Sequence, residues 1–355
     1  MPRRSREKLL LPPALCGAVV FVFGCGGPAD GGGAGPAGGA GGTGASTGGA
    51  GGVAAATTTA VSAGGQGGSG GTSAASGTTG GAGSGGTAGA AGSGGFTGGA
   101  GGTGGSSPSS SGCGVPAETG TFQEAITAFG LERSYYLSVP DSYDPNLPQR
   151  LIFGYHGSNY TGERMRQYLD LEEPPLVEGS VFVYPDGIGL ENQPDHIAWE
   201  LASDGRDLAF FDELFANLKS RFCIDESRVF VNGQSYGGLM TNAVGCYRGE
   251  VLRAIAVVAG SGPRSDECPG DVAVWLTHGM DDDSVDFSSG EASRDFWAAE
   301  NGCTDMTMTG DPAQCQNYAG CDEGFPVIWC PHVDDGGHQH PSFGRVAVRQ
   351  FLASF

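Results

Sequence analysis

The sequence predicts an α/β domain with a mostly parallel central sheet flanked by helices, disulfide-stapled and confined to residues 113–355. Two observations carry this. Short β-branched and aromatic runs alternate with segments of helical spacing after residue 113, and the glycines, 67 of 355, are crowded into the part before it.

Taken in order, residues 1–24 begin with Arg3, Arg4, Arg6 and Lys8 and run apolar from Leu9 to Phe23, the layout of a secretory signal peptide. The apolar run is too short, and too broken by Pro12 and Pro13, for a membrane span. Cys25 follows a small residue at its end, an arrangement that resembles a bacterial lipoprotein signal and implies a lipid anchor on Cys25. Ordinary secretion is the alternative, and either makes the protein exported. Residues 25–112 are Gly, Ala, Ser and Thr with Asp30 as the one charge. Such a stretch buries too little apolar surface to offset its ordering entropy, so a disordered linker is expected, spanning roughly 50 Å as a Gly-rich coil.

Within 113–355, strand character is read at Tyr135–Val139, Leu151–Tyr155, Val181–Tyr184, Val229–Val231, Ala254–Val258, Val272–Leu276 and Val327–Trp329. Asn232-Gly233 is read as the end of the fourth. Leu208, Phe211, Leu214, Phe215, Leu218 and Phe222 recur at helical spacing and predict an amphipathic helix over 206–222. Met240–Cys246, Ala292–Glu300 and Gly344–Ala353 are further helix candidates. Alternation of this kind implies a parallel sheet covered on both faces, with ligands at the carboxyl ends of its strands.

Eight of the ten cysteines lie in the domain: Cys113, Cys223, Cys246, Cys268, Cys303, Cys315, Cys321 and Cys330. An even number in an exported chain reads as up to four disulfides, and the absence of a close C-x-x-C pair argues against zinc. The formal net charge of −21 repels nucleic acid and anionic lipid, so nucleic-acid binding is excluded and membrane contact is left to Cys25 alone.

Gly233-Gln234-Ser235-Tyr236-Gly237 is G-x-S-x-G between a strand and a helix. A turn tight enough to lift a hydroxyl out of a sheet brings backbones so close that glycine is needed on either side, which makes Ser235 a candidate nucleophile. A serine needs a base, and the base a third group to hold its tautomer. In the order Ser, acid, His, only His332, His338 and His340 come late enough. Gly336-Gly337 before it favours His338, with His340 the other candidate. The acid falls in His278-Gly279-Met280-Asp281-Asp282-Asp283, where the residues leave Asp281, Asp282 and Asp283 open. Two metal readings compete: a calcium loop of these aspartates with Asp286, and a cluster of His332, Asp334, Asp335, His338 and His340. His278 reads as a structural residue ending its strand. An oxyanion site requires two N–H donors, and the amides of Tyr236 and Ser158 are the candidates, with His156 beside the second.

The domain resembles secreted feruloyl esterases and the related polyhydroxybutyrate-depolymerase-type esterases, which are α/β-hydrolases. The likeness rests on Ser111-Gly112-Cys113-Gly114, Leu151-Ile152-Phe153-Gly154-Tyr155-His156-Gly157, Tyr184-Pro185-Asp186-Gly187 and Gly205-Arg206-Asp207. It continues through Phe222-Cys223-Ile224-Asp225, the Ser235 turn, His278-Gly279, Gly320-Cys321-Asp322, Trp329-Cys330 and Gly336-Gly337-His338. The resemblance implies Ser235 as nucleophile, His338 as base and Asp282, three residues after the glycine of the His-Gly pair, as acid. It also implies disulfides stapling the loops near His338 and acyl transfer without metal or organic cofactor. A monomer is expected. Tyr236, Tyr160 and Trp199 are candidates to stack on an aromatic acyl group. A feruloyl ester of plant cell-wall polysaccharide is the expected substrate, with short hydroxyalkanoate polyesters and acetylated xylan as alternatives. An inactive binding module on the same fold is the non-enzymatic alternative.

Overall fold

The computed structural model describes residues 109–355 apart from 264, 266, 267 and 335. The signal segment, Cys25 and the Gly-rich stretch as far as residue 108 lie outside the described residues.

Among the described residues twelve strands and five α-helices follow one another as β1 (Gly120–Ala128), β2 (Leu131–Val139), β3 (Gln149–Tyr155), α1 (Gly162–Leu169), β4 (Ser180–Pro185), β5 (Ile188–Leu190), β6 (Gln193–Ala198), α2 (Arg206–Arg221), β7 (Ile224–Gln234), α3 (Tyr236–Tyr247), β8 (Ala254–Val258), β9 (Ala273–Gly279), α4 (Phe287–Glu300), β10 (Thr307–Thr309), β11 (Gln316–Tyr318), β12 (Val327–His332) and α5 (Gly344–Ala353). Ten strands form one sheet in the order β1-β2-β4-β3-β7-β8-β9-β12-β11-β10. From β4 to β12 every pairing is parallel, and two antiparallel strands extend each end.

The middles of the central strands are mostly apolar because both faces are covered. Leu151, Phe153, Val229, Val231, Ile255, Val257, Val274 and Leu276 point to one face, where α2, α3 and α4 bring Phe211, Leu214, Met240, Val244 and Trp297. Ile152, Phe230, Ala254, Ala256 and Trp275 point to the other, against Met165 and Leu169 of α1 and Val348, Phe351 and Leu352 of α5. The helix expected over 206–222 is α2, with its apolar spacing intact.

One sequence expectation is corrected here. β7 does not stop at Asn232-Gly233 but runs through both to Gln234. Asn232 is fully buried and its Nδ2 donates to the Ala256 carbonyl at 2.8 Å, while Gly233 stays in register with Tyr155 and Val257. The glycine answers a close approach to α3 rather than a turn.

Four disulfides join Cys113–Cys223, Cys246–Cys268, Cys303–Cys321 and Cys315–Cys330. The first lies beside an entry segment that the composition had assigned to the linker. Ser109 bridges Asp225, and the Ser110 hydroxyl donates to the Phe222 carbonyl at 2.6 Å and accepts from the Ile224 amide at 2.8 Å.

Candidate active site

β7 ends at Gln234 and α3 begins at Tyr236, so Ser235 alone makes the turn, at φ +59°. This is left-handed backbone that a non-glycine residue adopts only where its surroundings enforce it. They do: the Ser235 amide donates to the Val258 carbonyl at 2.9 Å on one side, and the Leu239 amide to the Ser235 carbonyl at 3.0 Å on the other. At Gly237 any Cβ would enter the Tyr155 backbone.

Ser235 Oγ lies 2.9 Å from His338 Nε2. On the far side of the ring, His338 Nδ1 is 2.9 and 3.0 Å from the two oxygens of Asp282. With Nδ1–H donating to the carboxylate, Nε2 is left as the acceptor for the serine hydroxyl. The three groups come from the carboxyl ends of β7, β9 and β12. His338 is presented by a loop in which Gly336 and Gly337 take φ +70° and +77°, and the Gly279 amide donates to the Gly337 carbonyl at 3.1 Å. Gln234 Nε2 donates to the His338 carbonyl at 2.7 Å, an anchor that nothing in the sequence signalled.

Among the three aspartates the geometry selects one. The Asp282 carboxylate is fully buried, whereas Asp281 and Asp283 are exposed. Burial pushes its acidity down, but the Val285 amide, His338 and the Ser284 amide outweigh that and hold its pKa below the usual carboxylate range. A further contact was missed by sequence reasoning: His278 Nε2 is 3.1 Å from Asp282 Oδ2 and 2.8 Å from the Val285 carbonyl. Burial lowers the His278 pKa and so favours the neutral ring.

Ser235 opens into a cavity of ≈420 Å³ whose walls include Ser158, Tyr160, Tyr236, Leu239 and Val285. Neither the Ser158 nor the Tyr236 amide finds an acceptor among the described residues. The reason at Ser158 is local. His156, fully buried, accepts the Gly187 amide on Nε2 at 2.7 Å, so its Nδ1–H faces the Gly157 carbonyl at 2.7 Å. Fixing that carbonyl sends the Ser158 N–H, on the opposite edge of the same peptide plane, the other way.

Tyr160 lines the cavity, with Arg164 4.0 Å over its ring. Trp199 is fully buried, donates its indole N–H to the His156 carbonyl at 2.8 Å and packs on Tyr155, so it supports the Ser158 loop; it lies outside the lining of the Ser235 cavity. His340, the alternative base, is buried against Tyr168 and hydrogen-bonds to none of these groups. Among the described residues no three His, Cys, Asp or Glu side chains gather closely enough to hold a metal ion.

Comparison with known proteins follows the same lines. No family model matches the chain. Feruloyl esterase D of Neurospora crassa is 32% identical over 258 residues, covering 66% of this chain and 83% of that protein. The chain belongs to the feruloyl esterase family. Feruloyl esterase C of Emericella nidulans is 30% identical over 226 residues, covering 60% of this chain and 78% of its own length. Among solved structures, an acetyl xylan esterase from Aspergillus awamori superposes with a TM-score of 0.52 at 16% identity, covering 65% of this chain and 99% of that one. At that identity the likeness is one of fold alone, and it agrees with an α/β-hydrolase fold for this feruloyl esterase-family chain.

Proposed function

We propose that this chain is an exported serine carboxylic-ester hydrolase that cleaves feruloyl esters of plant cell-wall polysaccharides. The observation that carries the reading is the hydrogen-bonded series Ser235, His338 and Asp282 at the mouth of a cavity. Identity to two fungal feruloyl esterases supports the choice of acyl group.

In this mechanism Ser235 Oγ attacks the ester carbonyl carbon while its proton passes to His338 Nε2. Asp282, beside Nδ1, holds the ring's tautomer and stabilises the imidazolium. The carbonyl oxygen becomes an alkoxide and accepts from the Tyr236 and Ser158 amides, each such donor contributing about 3 kcal/mol to the transition state. The C–O bond to the alcohol breaks, the alcohol oxygen takes the His338 proton, and the acid remains on Ser235. Water, deprotonated by His338, then releases it.

Four disulfides favour an oxidising compartment and so support export. Cys25 as a lipid anchor and residues 25–112 as its tether complete the reading. Incorporation of labelled fatty acid that Cys25→Ala abolishes is the expected check.

The direct test compares release of ferulate from methyl ferulate, of acetate from acetylated xylan and of hydroxybutyrate from a soluble oligomer. Ferulate release should dominate, and Ser235→Ala should lower it at least about 10³-fold with the fold intact. Preferred release of acetate or hydroxybutyrate would reassign the acyl group, and full activity in Ser235→Ala would remove the mechanism.

A further inference from the structure

A second hollow of ≈1070 Å³, more than twice the ≈420 Å³ of the reacting cavity, lies on the other side of Tyr236, which forms a wall of both. Its sides come from two hairpins. One is β5–β6, whose tip carries Glu191, Asn192 and Gln193. The other is the β1–β2 turn, with Phe129 and Leu131. The segment leading into α2 adds Trp199, Glu200, Asp204 and Arg206 to the lining.

Phe129 is an odd residue for its position. Ala128 pairs with Leu131, so Phe129-Gly130 is a two-residue turn, and φ is +53° and +73° at the two positions. Asn, Asp or Gly suit such a turn, because a residue with a full side chain is strained there. Phe129 is also 63% exposed. Neither the turn nor the core explains a phenyl ring at this point, whereas a ligand in the hollow would.

We propose that this groove binds the alcohol half of the ester as a neutral oligosaccharide, with the Phe129 ring as a stacking platform for one sugar. The proposal rests on the esterase reading above. An ester leaves its reacting carbon in two directions; the smaller cavity is of a size for one aromatic acid, so the chain on the alcohol oxygen leaves across Tyr236. A sugar offers an apolar C–H face to a phenyl ring and hydroxyls around its rim. Asn192, Gln193, Glu191 and Asp204 present acceptors and amides to such a rim. Arg206, the cation in the lining, is committed, its Nη2 donating to the Gly189 carbonyl at 2.6 Å and its amide to Glu200 at 3.1 Å. With Glu191, Glu200 and Asp204 against that single guanidinium the lining is net negative and disfavours a uronic-acid chain.

The groove is also fixed relative to the reacting serine's cavity. The Asn159 amide donates to the Ile197 carbonyl at 2.8 Å, and the Ile197 amide to Asn159 Oδ1 at 2.9 Å, so β6 is fastened to the loop that carries Ser158. His196 of the same strand meets the Tyr236 ring edge-on at 5.8 Å.

The test uses the full chain and Phe129→Asn, a residue that suits the turn, so folding is preserved. Substrates are methyl ferulate and the ferulate ester of a neutral arabinoxylo-trisaccharide. In the variant, KM for the trisaccharide ester should rise about fivefold or more, with methyl ferulate kinetics unchanged. The free trisaccharide, titrated by NMR, should bind the unsubstituted chain and bind Phe129→Asn more weakly by a similar factor, and its uronic-acid analogue should bind more weakly than the neutral sugar. Equal changes on both esters, or none in KM and in sugar binding, would overturn the proposal. Should neither ester be hydrolysed by the unsubstituted chain, the feruloyl reading fails, and the titration still decides the groove: binding that Phe129→Asn weakens upholds it, and no binding refutes it.

Discussion

At the residue scale, His278 is the side chain whose position has most consequence beyond Ser235, His338 and Asp282. Its buried ring offers one N–H to Asp282 Oδ2 and the Val285 carbonyl together, which limits the angles the carboxylate can take behind His338. Removing a hydrogen bond to a charged group costs about 1.5–3 kcal/mol. His278→Ala is therefore expected to lower kcat about tenfold or more, with KM for methyl ferulate nearly unchanged and the far-ultraviolet dichroism retained. A rise in KM at constant kcat would mean that His278 shapes the cavity instead. The same scale sets the limit of sequence reading. Ser235 was legible because its flanking glycines have a steric reason that the sequence itself displays. Asp282 could not be told from Asp281 and Asp283 by residue type. Burial distinguishes them, and burial is set by how the β9 and β12 loops meet.

At the element scale, the six parallel strands from β4 to β12 and the helices α2 to α5 were readable, since strands buried on both faces are mostly apolar along their middles. β1 was not, because it alternates half-buried and exposed residues, and Gly120-Thr121-Phe122-Gln123-Glu124 carries too little apolar signal. β5, β6, β10 and β11 are short, and their residues are mostly exposed or half-buried, so they leave no pattern at all. The small β10–β11 unit is held to the sheet through Cys315–Cys330, a bond closing a loop of 15 residues just ahead of the His338 loop. Paired replacement Cys315→Ala and Cys330→Ala should lower unfolding free energy by about 3 kcal/mol, read from urea midpoints. An unchanged midpoint would show that packing alone fixes this corner. Between β2 and α2, Arg133 and Asp207 form an ion pair at 2.6 Å with both side chains fully buried. Arg133→Ala would strand the Asp207 charge, and a loss of about 3–5 kcal/mol is expected by the same measurement.

At the scale of the whole molecule, stability should fall towards acid for a traceable reason. Neither ring nitrogen of buried His340 has a hydrogen-bond partner among the described residues, and burial, with Arg345 and His332 nearby, lowers its pKa to about 3. Burial lowers His156, His278 and His332 in the same direction. A folded-state value below the unfolded one means that the unfolded chain takes up protons first as pH drops. Stability is therefore complete above about pH 6.5 and declines below it, by about 1.4 kcal/mol per pH unit for His340, with the other three histidines adding in the same direction. Asp282, also lowered, adds to the loss below about pH 4. Urea midpoints between pH 4 and 7 should show this slope, and His340→Phe should reduce it by about one proton. A slope unaltered by that replacement would locate the proton uptake elsewhere.

The sequence by itself determined the fold class, an upper bound of four disulfides, the serine turn and the set of histidines from which a base had to come, because periodicity, cysteine count and steric need for glycine are local properties of a chain. Tertiary structure decided which aspartate stands behind His338, that Trp199 is buried behind the Ser158 loop, and that an exposed Phe129 meets the β5–β6 hairpin across a groove. Those are facts about which distant segments become neighbours, and proximity across a sheet is fixed by packing.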